Sequence, residues 1–396
     1  MAIGTPLHPR TAPLCKSHDW RQWSGYLAAD SYDDFVQPEY AAIRHAAALI
    51  DVSPLYKYRV RGTDAVGFVN RVFTHDLAAV EVNSAIYTPW CDSYGKVRQE
   101  GTVFRLADDV FQINAAEPAL RWLHQNARGY AVEITDRSTD TAALSLQGPR
   151  SRDVLLEAAG ASVNGLKFFH ITHGEIAGAP VTISRTGYTG DLGFEIWPAA
   201  SDALRVWDAL MEGGAPHNIT PCGLKAMDIA RVEAGFVLIN VDYVSAESAL
   251  VESDKASPFE LGLGWAVKLD KPHFIGRSAL AAEKATGAAR MVVGLEIGWE
   301  PLERLYAQVG RMPDLPLIPC REPVPVYSES GGQIGRATSR VWSTLLKKYI
   351  ALAIVERRFA SPGTHVDMEV TVQYERQRAP ATVVKPRFYR PERMRA

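Results

Sequence analysis

Short strands alternating with helices through the first 284 residues, then a run of short strands punctuated by glycine and proline, predict an α+β protein. The last part reads as a small antiparallel β-barrel. The chain has 396 residues, enough for two or three domains with real cores. Its pattern breaks twice: Gly148-Pro149 ends a strand and opens a helix, and 285–290 separates helix-bearing sequence from the β-rich tract. The expected organisation is an N-terminal α+β lobe over 1–147, a second α+β lobe over 148–284 and a barrel over 285–396.

The elements follow in order. Residues 1–39 are irregular and aromatic, with Trp20, Trp23, Tyr26, Tyr32 and Phe35, and are expected to wrap the first lobe. Residues 39–49 are alanine-rich and read as a helix that ends at Asp51-Val-Ser-Pro54. Residues 56–60 alternate like a strand, and Thr63-Asp64 offers a cap for a helix over 65–72. Strands are expected at 84–89, 102–106, 110–114, 132–135 and 142–146, with a helix at 118–127 and another from the Gly148-Pro149 break to 159. The second lobe repeats the style, with strands at 175–177, 181–185 and 194–197 and helices at 202–211 and 223–233. Barrel strands are expected at 291–297, 324–327, 350–355, 366–372 and 381–385. No pattern fixes the place of 298–322.

Composition excludes several classes of function. Hydrophobic content of 47% and charged content of 22% are ordinary for a globular protein. A net charge of −2 argues against nucleic acid or an anionic membrane as the main partner. The four cysteines form no C-x-x-C pair and no cluster with histidine, which fits a reducing compartment and neither a disulfide framework nor a zinc site. No apolar run approaches the roughly 18 residues of a membrane span, and the N-terminus lacks an apolar targeting core, so a cytoplasmic location is expected. Dinucleotide, P-loop, zincin and nucleophile-elbow motifs are missing, and the histidines are too scattered to suggest a metal.

The most informative stretch is Arg185-Thr-Gly-Tyr-Thr-Gly-Asp-Leu-Gly-Phe-Glu-Ile-Trp197. Gly187, Gly190 and Gly193 recur every third residue, and glycine lets a flat ligand approach the main chain. Phe194, Glu195 and Ile196 then alternate as on a strand with two different faces. This reads equally as a hairpin turn with Glu195 in solvent.

The string resembles the signature of the glycine-cleavage T-protein family, the tetrahydrofolate-dependent aminomethyltransferases and their demethylase relatives. Further segments resemble that family in its order: Cys222-Gly-Leu-Lys-Ala-Met-Asp-Ile-Ala-Arg-Val-Glu-Ala-Gly235, Leu261-Gly-Leu-Gly-Trp-Ala-Val-Lys-Leu-Asp270, Phe274-Ile-Gly-Arg277, Gly335-Arg-Ala-Thr-Ser339, Tyr349-Ile-Ala-Leu-Ala353 and Val384-Lys-Pro-Arg-Phe-Tyr389. The likeness runs from about residue 40 to the end. It implies three lobes around a central hole, an enzyme, and tetrahydrofolate as cofactor.

The resemblance also assigns residues. Glu195 falls where the family accepts the paired N–H donors of a pterin edge, a charge-assisted bond. Tyr188 falls at a tyrosine flanking the folate, Tyr87 at a pocket tyrosine, Asn114 at the end of a strand passing the pterin, and Trp265 near the cofactor; packing roles stay open for each. Arg231 falls at an arginine that reaches the family's central cavity, where it could grip a carboxylate. Asp228, three residues earlier on the same helix, could instead simply pair with it.

The chain departs from the aminomethyltransferase pattern at Tyr94-Gly-Lys-Val-Arg-Gln-Glu-Gly-Thr-Val-Phe-Arg105. The family has an aspartate pair here; Gln99 aligns with the first aspartate, held to activate the folate amine, and Glu100 with the second. Glutamine carries no proton to exchange, and Glu100, one step along a strand, is expected to face away. Gln99, Tyr188 and Arg231 are thus the candidate catalytic residues; Glu195, Tyr188, Tyr87, Asn114 and Trp265 are the candidate folate-binding ones. The expected reaction is demethylation of a small O-, N- or S-methyl donor by tetrahydrofolate. The alternatives are aminomethyl transfer with a lipoyl carrier protein and folate binding without catalysis.

Overall fold

A computed structural model describes residues 2–395. The chain begins with β1 (Ile3–Gly4), α1 (His8–Leu14), β2 (Asp19–Trp23) and β3 (Tyr26–Ser31), and these strands make a small sheet in the order β1-β3-β2. Next come α2 (Gln37–His45), β4 (Ala47–Asp51), β5 (Tyr56–Arg61), α3 (Ala65–Val72), β6 (Ser84–Cys91), β7 (Val97–Ala107) and β8 (Val110–Ala115). The chain continues through α4 (Leu120–Asn126), β9 (Glu133–Asp136), β10 (Leu144–Gln147), α5 (Ser151–Ala159), β11 (Ile171–Ile176), β12 (Ala179–Ser184) and β13 (Gly193–Pro198). Then follow α6 (Ala203–Gly214), β14 (Ile219–Pro221), α7 (Leu224–Ala234) and α8 (Arg277–Thr286).

The first sheet has the order β6-β7-β8-β5-β9 and the second β11-β12-β13-β10-β4-β14. The expected boundary at 147/148 does not separate them. β4, read from its alanines as the end of a helix, pairs with β10 and β14, and β10 pairs with β13. The chain therefore starts the second sheet, builds the first, and returns. Strand pairing outweighed the helix propensity of Ala47 and Ala48, because β4 is buried throughout.

The small N-terminal sheet also lies elsewhere than expected. Thr5 Oγ1 donates to Asp51 at 2.6 Å, Arg10 pairs with Asp208 on α6, and Lys225 on α7 pairs with Asp19. It packs on the second lobe, not around the first.

The barrel consists of β15 (Arg290–Ile297), β16 (Val324–Ser328), β17 (Gln333–Ser343), β18 (Lys348–Glu356), β19 (His365–Val372) and β20 (Glu375–Val384), with α9 (Trp299–Ala307) between its first two strands. It closes in the order β15-β18-β17-β16-β19-β20, all pairs antiparallel. Closure leaves no free sheet edge to recruit another chain. Leu295, Val326, Ala353, Met368 and Val383 fill its interior.

Each layer buries a pattern visible in its residues. α3 buries Ala65, Phe68, Val69 and Val72, the 3.6-residue stripe of an amphipathic helix, against Trp90, Phe111 and Ile113 on the first sheet. α5 and α6 cover the second sheet with Val154, Val206, Trp207 and Leu210 over Leu146, Phe194 and Ile196. The remaining faces of the two sheets meet each other. Phe104 of β7 and Trp197 of β13 touch edge to face, with ring centroids 5.5 Å apart.

α7 is the hub where both lobes and the barrel converge. The buried Glu233 carboxylate accepts Tyr40 Oη at 2.6 Å, Arg44 Nη2 at 2.7 Å and Ser343 Oγ at 2.6 Å. The helix stops at Gly235, whose φ of +74° only glycine adopts cheaply and whose Cβ would lie 1.9 Å from the Pro386 carbonyl oxygen.

Candidate functional site

The site forms where the two sheets face one another. Glu195 on β13 pairs with Ser145 and Ser184 and lies on the same side as Trp197. Its Oε2 accepts the Thr186 hydroxyl at 2.5 Å. Burial pushes its pKa up, and the Thr186 and Ser184 hydroxyls partly offset this. Glu195 is a carboxyl held by weak neutral donors and by no cation, so stronger N–H donors of a ligand edge can improve its bonding.

The glycine-rich turn in front of it is packed by protein. A Cβ on Gly187 or Gly193 would meet the Gln147 side chain at 2.2 Å, and one on Gly190 would meet Ala234 at 2.4 Å. Thr189 Oγ1 donates to Gln147 Oε1 at 2.7 Å, and Arg44 reaches the Thr189 carbonyl at 3.0 Å. The glycines therefore seat the turn on Gln147 and α7, and do not themselves open the backbone to a ligand.

Aromatic rings flank the space. Tyr188 stacks on Phe236 at 5.6 Å, and its hydroxyl donates to the Val237 carbonyl at 2.6 Å. Tyr87 stacks on Trp265 at 6.2 Å, and Trp265 is 49% exposed. Asn114 is buried, donating to Thr102 Oγ1 at 3.1 Å and accepting from Gln112 at 3.0 Å. It braces the sheet face behind the pocket.

Gln99 and Glu100 lie opposite to expectation. Gln99 is the partner of Trp90 and has the same side as Val103, so it faces the α3 and α4 core. Its amide is spent on the Glu117 backbone, donating to the carbonyl at 3.3 Å and accepting from N–H at 3.2 Å. Glu100 has the side of Thr102 and Phe104, toward the second sheet, where Tyr243 donates to its Oε2. Tyr87 and Tyr188 both lie within its electrostatic reach. Burial, with Asp242 nearby, raises its pKa to about 8, so it holds a proton at neutral pH. Gln99 is thus corrected from a candidate catalytic group to a strut, and Glu100 is the acid on the pocket face. Valine at 97 and 103 and phenylalanine at 104 make both faces of β7 look buried, so alternation could not choose between them.

Arg231 is also corrected. Nε donates to Asp228 at 2.6 Å, Nη1 to Asp242 at 2.5 Å and to the Phe236 carbonyl at 3.2 Å, and Nη2 to Ser339 Oγ at 2.8 Å. Burial pulls its pKa down, but Asp242 and Asp228 outweigh that and hold it above the ordinary arginine value. Its side chain is 1% exposed, and four of its five N–H donors are bonded within the protein, so it is a structural cation first. Asp228 accepts Arg321 at 2.8 Å on its other oxygen, which ties the segment after α9 down onto the hub. Among the described residues no group of His, Cys, Asp and Glu could hold a metal ion, and no helix is long and apolar enough to cross a membrane.

Two facing sheets and a closed barrel match known proteins as a whole. Residues 8–271 match the GCVT N-terminal domain, and 309–390 match the glycine cleavage T-protein C-terminal barrel domain. An aminomethyltransferase of Anoxybacillus flavithermus is 34% identical over 393 residues, covering 98% of each chain. One of Halothermothrix orenii is 31% identical over 353 residues, covering 88% of this chain and 91% of that one. The crystal structure of the glycine cleavage system aminomethyltransferase T from Bartonella henselae has the same fold, with a TM-score of 0.81 over 98% of both chains at 23% identity. The chain belongs to the glycine cleavage T-protein family. Within that family it is a tetrahydrofolate-dependent one-carbon transferase.

Proposed function

We propose that this protein is an aminomethyltransferase, which moves the one-carbon unit of an aminomethyl group from a lipoyl carrier protein to tetrahydrofolate. The observation that supports it best is Glu100, a protonated carboxyl on the pocket face where the order of residues alone suggested none. It removes the reason for preferring a demethylase, and the relatives of highest similarity reported above carry the name aminomethyltransferase.

The residues present suit the folate. Glu195 is the acceptor for a pterin donor edge, and Tyr188 with Phe236 and Tyr87 with Trp265 are the walls. Bound there, tetrahydrofolate supplies the nucleophilic nitrogen. The chain contributes alignment, exclusion of water and a proton source. Transfer releases ammonia and a carrier thiol, so hydrogen lost from the folate nitrogens must reach both leaving groups. Glu100, protonated up to about pH 8, can give and take back one proton on that route.

Methyl transfer from an O-, N- or S-methyl donor is the second reading. It is favoured by Gln99, which stands where the family has its first aspartate, because methyl transfer from an activated donor needs no such carboxylate. Incubation with an aminomethyl-loaded lipoyl carrier and tetrahydrofolate is expected to release ammonia. Methyl-tetrahydrofolate from a methyl-donor panel, with no ammonia from the carrier, would reverse the order of the two readings.

A further inference from the structure

We propose that Tyr243 is a positioning residue for this reaction, its hydroxyl fixing one oxygen of Glu100 so that the carboxyl is presented between Tyr87 and Tyr188. The inference rests on Glu100 being the acid of the reading above. Tyr243 is 1% exposed, and its hydroxyl reaches across from the segment after α7 to Glu100 on β7. A buried hydroxyl costs stability unless it is hydrogen-bonded, so a purely apolar role at this position would be served as well by phenylalanine.

The tyrosine is itself held rigidly. Its neighbour Asp242 accepts from Arg231 and the Leu238 N–H on one oxygen and from Thr338 and Ser339 of β17 on the other. The Asn240 N–H donates to the Tyr243 carbonyl at 2.7 Å. Tyr243 therefore carries the geometry of the barrel and of α7 to an acid on the first sheet. No other side chain connects those parts at this carboxyl among the described residues.

The groups facing Glu100 are few. Tyr87 comes from β6, Tyr188 from the glycine-rich turn, and Asp242 and Tyr243 from the segment after α7. Arg231 of α7 is already neutralised by Asp228 and Asp242; Arg98 on β7 pairs with Glu247, and Lys96 just before it pairs with Glu260. The Tyr243 hydroxyl is the side-chain donor bonded to Glu100 in the structure. A donor to the ionised form lowers a carboxyl pKa, so loss of the hydroxyl moves the titration of Glu100 further up.

The test compares wild type, Y243F and E100Q, each first shown to fold by thermal melting. Wild-type turnover is expected to fall through an alkaline limb near pH 8. Y243F should shift that limb to higher pH and lower kcat by about tenfold, with little change in the KM for folate. E100Q should lack the limb. The same titration is followed without turnover by the carboxyl-carbon NMR signal of labelled glutamate that E100Q removes. A midpoint raised in Y243F supports the proposal, and an unmoved midpoint with wild-type kcat overturns it. Should neither carrier nor methyl donor be consumed, the assigned reaction fails, while the NMR midpoint still decides whether Tyr243 controls Glu100.

Discussion

Two groups of buried acids, linked through Asp242 and its neighbour Tyr243, are treated in opposite ways. On the hub, Asp228, Asp242 and Glu233 are matched by Arg231, Arg321 and Arg44, and almost every oxygen accepts a charged or hydroxyl donor. Glu195 and Glu100 have hydroxyls as their side-chain partners and no cation, and burial raises the pKa of both. Compensated charge builds a joint between three parts of the chain. In the function proposed above, the uncompensated acids are the ones a ligand completes.

The largest effect should come from the joint. Arg231→Met leaves Asp228 and Asp242 buried without their shared cation and is expected to cost about 3–5 kcal/mol. Chemical denaturation measures this; a loss below about 1 kcal/mol would erase the distinction between the two groups. Arg231→Met should leave folate affinity per folded molecule unchanged, because the guanidinium is buried and bonded to Asp228, Asp242 and Ser339.

Next comes Glu100→Gln, expected to slow turnover on the order of a hundredfold while the fold persists. It also has a pH signature. The folded pKa of about 8 is raised from 4.5, so the native state binds the proton more tightly than the unfolded chain. That contribution is complete below about pH 4.5 and is lost as pH rises through about 8. Melting temperatures of Glu100→Gln should therefore decline less than wild type over that interval, and parallel declines would place the titration elsewhere.

Glu195→Ala should weaken tetrahydrofolate binding by roughly 1.5–3 kcal/mol, the range for hydrogen bonds to a charged group. Calorimetry with unchanged affinity would remove Glu195 from the site. The smallest effect belongs to the surface. Arg10 and Asp208 pair at 2.7 Å but are each nearly half exposed, so Arg10→Ala should cost under about 1 kcal/mol by denaturant melts. A larger loss would mean that the N-terminal sheet is part of the structural joint.

Local chemistry carried much of this molecule in its sequence. The stripe of α3, the alternation of β5 and β13 and the short punctuated barrel strands all depend on contacts within a few residues, which a linear pattern records. The order of motifs carried the family, and with it Glu195 beside an aromatic turn. Tertiary structure alone decided the rest. β4 became a strand through partners at Leu144–Gln147 and Ile219–Pro221, about a hundred residues and more away. β7 is covered on both faces, so its alternation had no polar side to mark which of Gln99 and Glu100 meets the pocket. Arg231 could be read as a ligand grip or a helix pair until Asp242 and Ser339, brought from a loop and the barrel, occupied further donors of its guanidinium. A side chain's chemistry is written in the sequence, but whether its hydrogen-bonding capacity is already spent depends on neighbours that only the folded chain supplies.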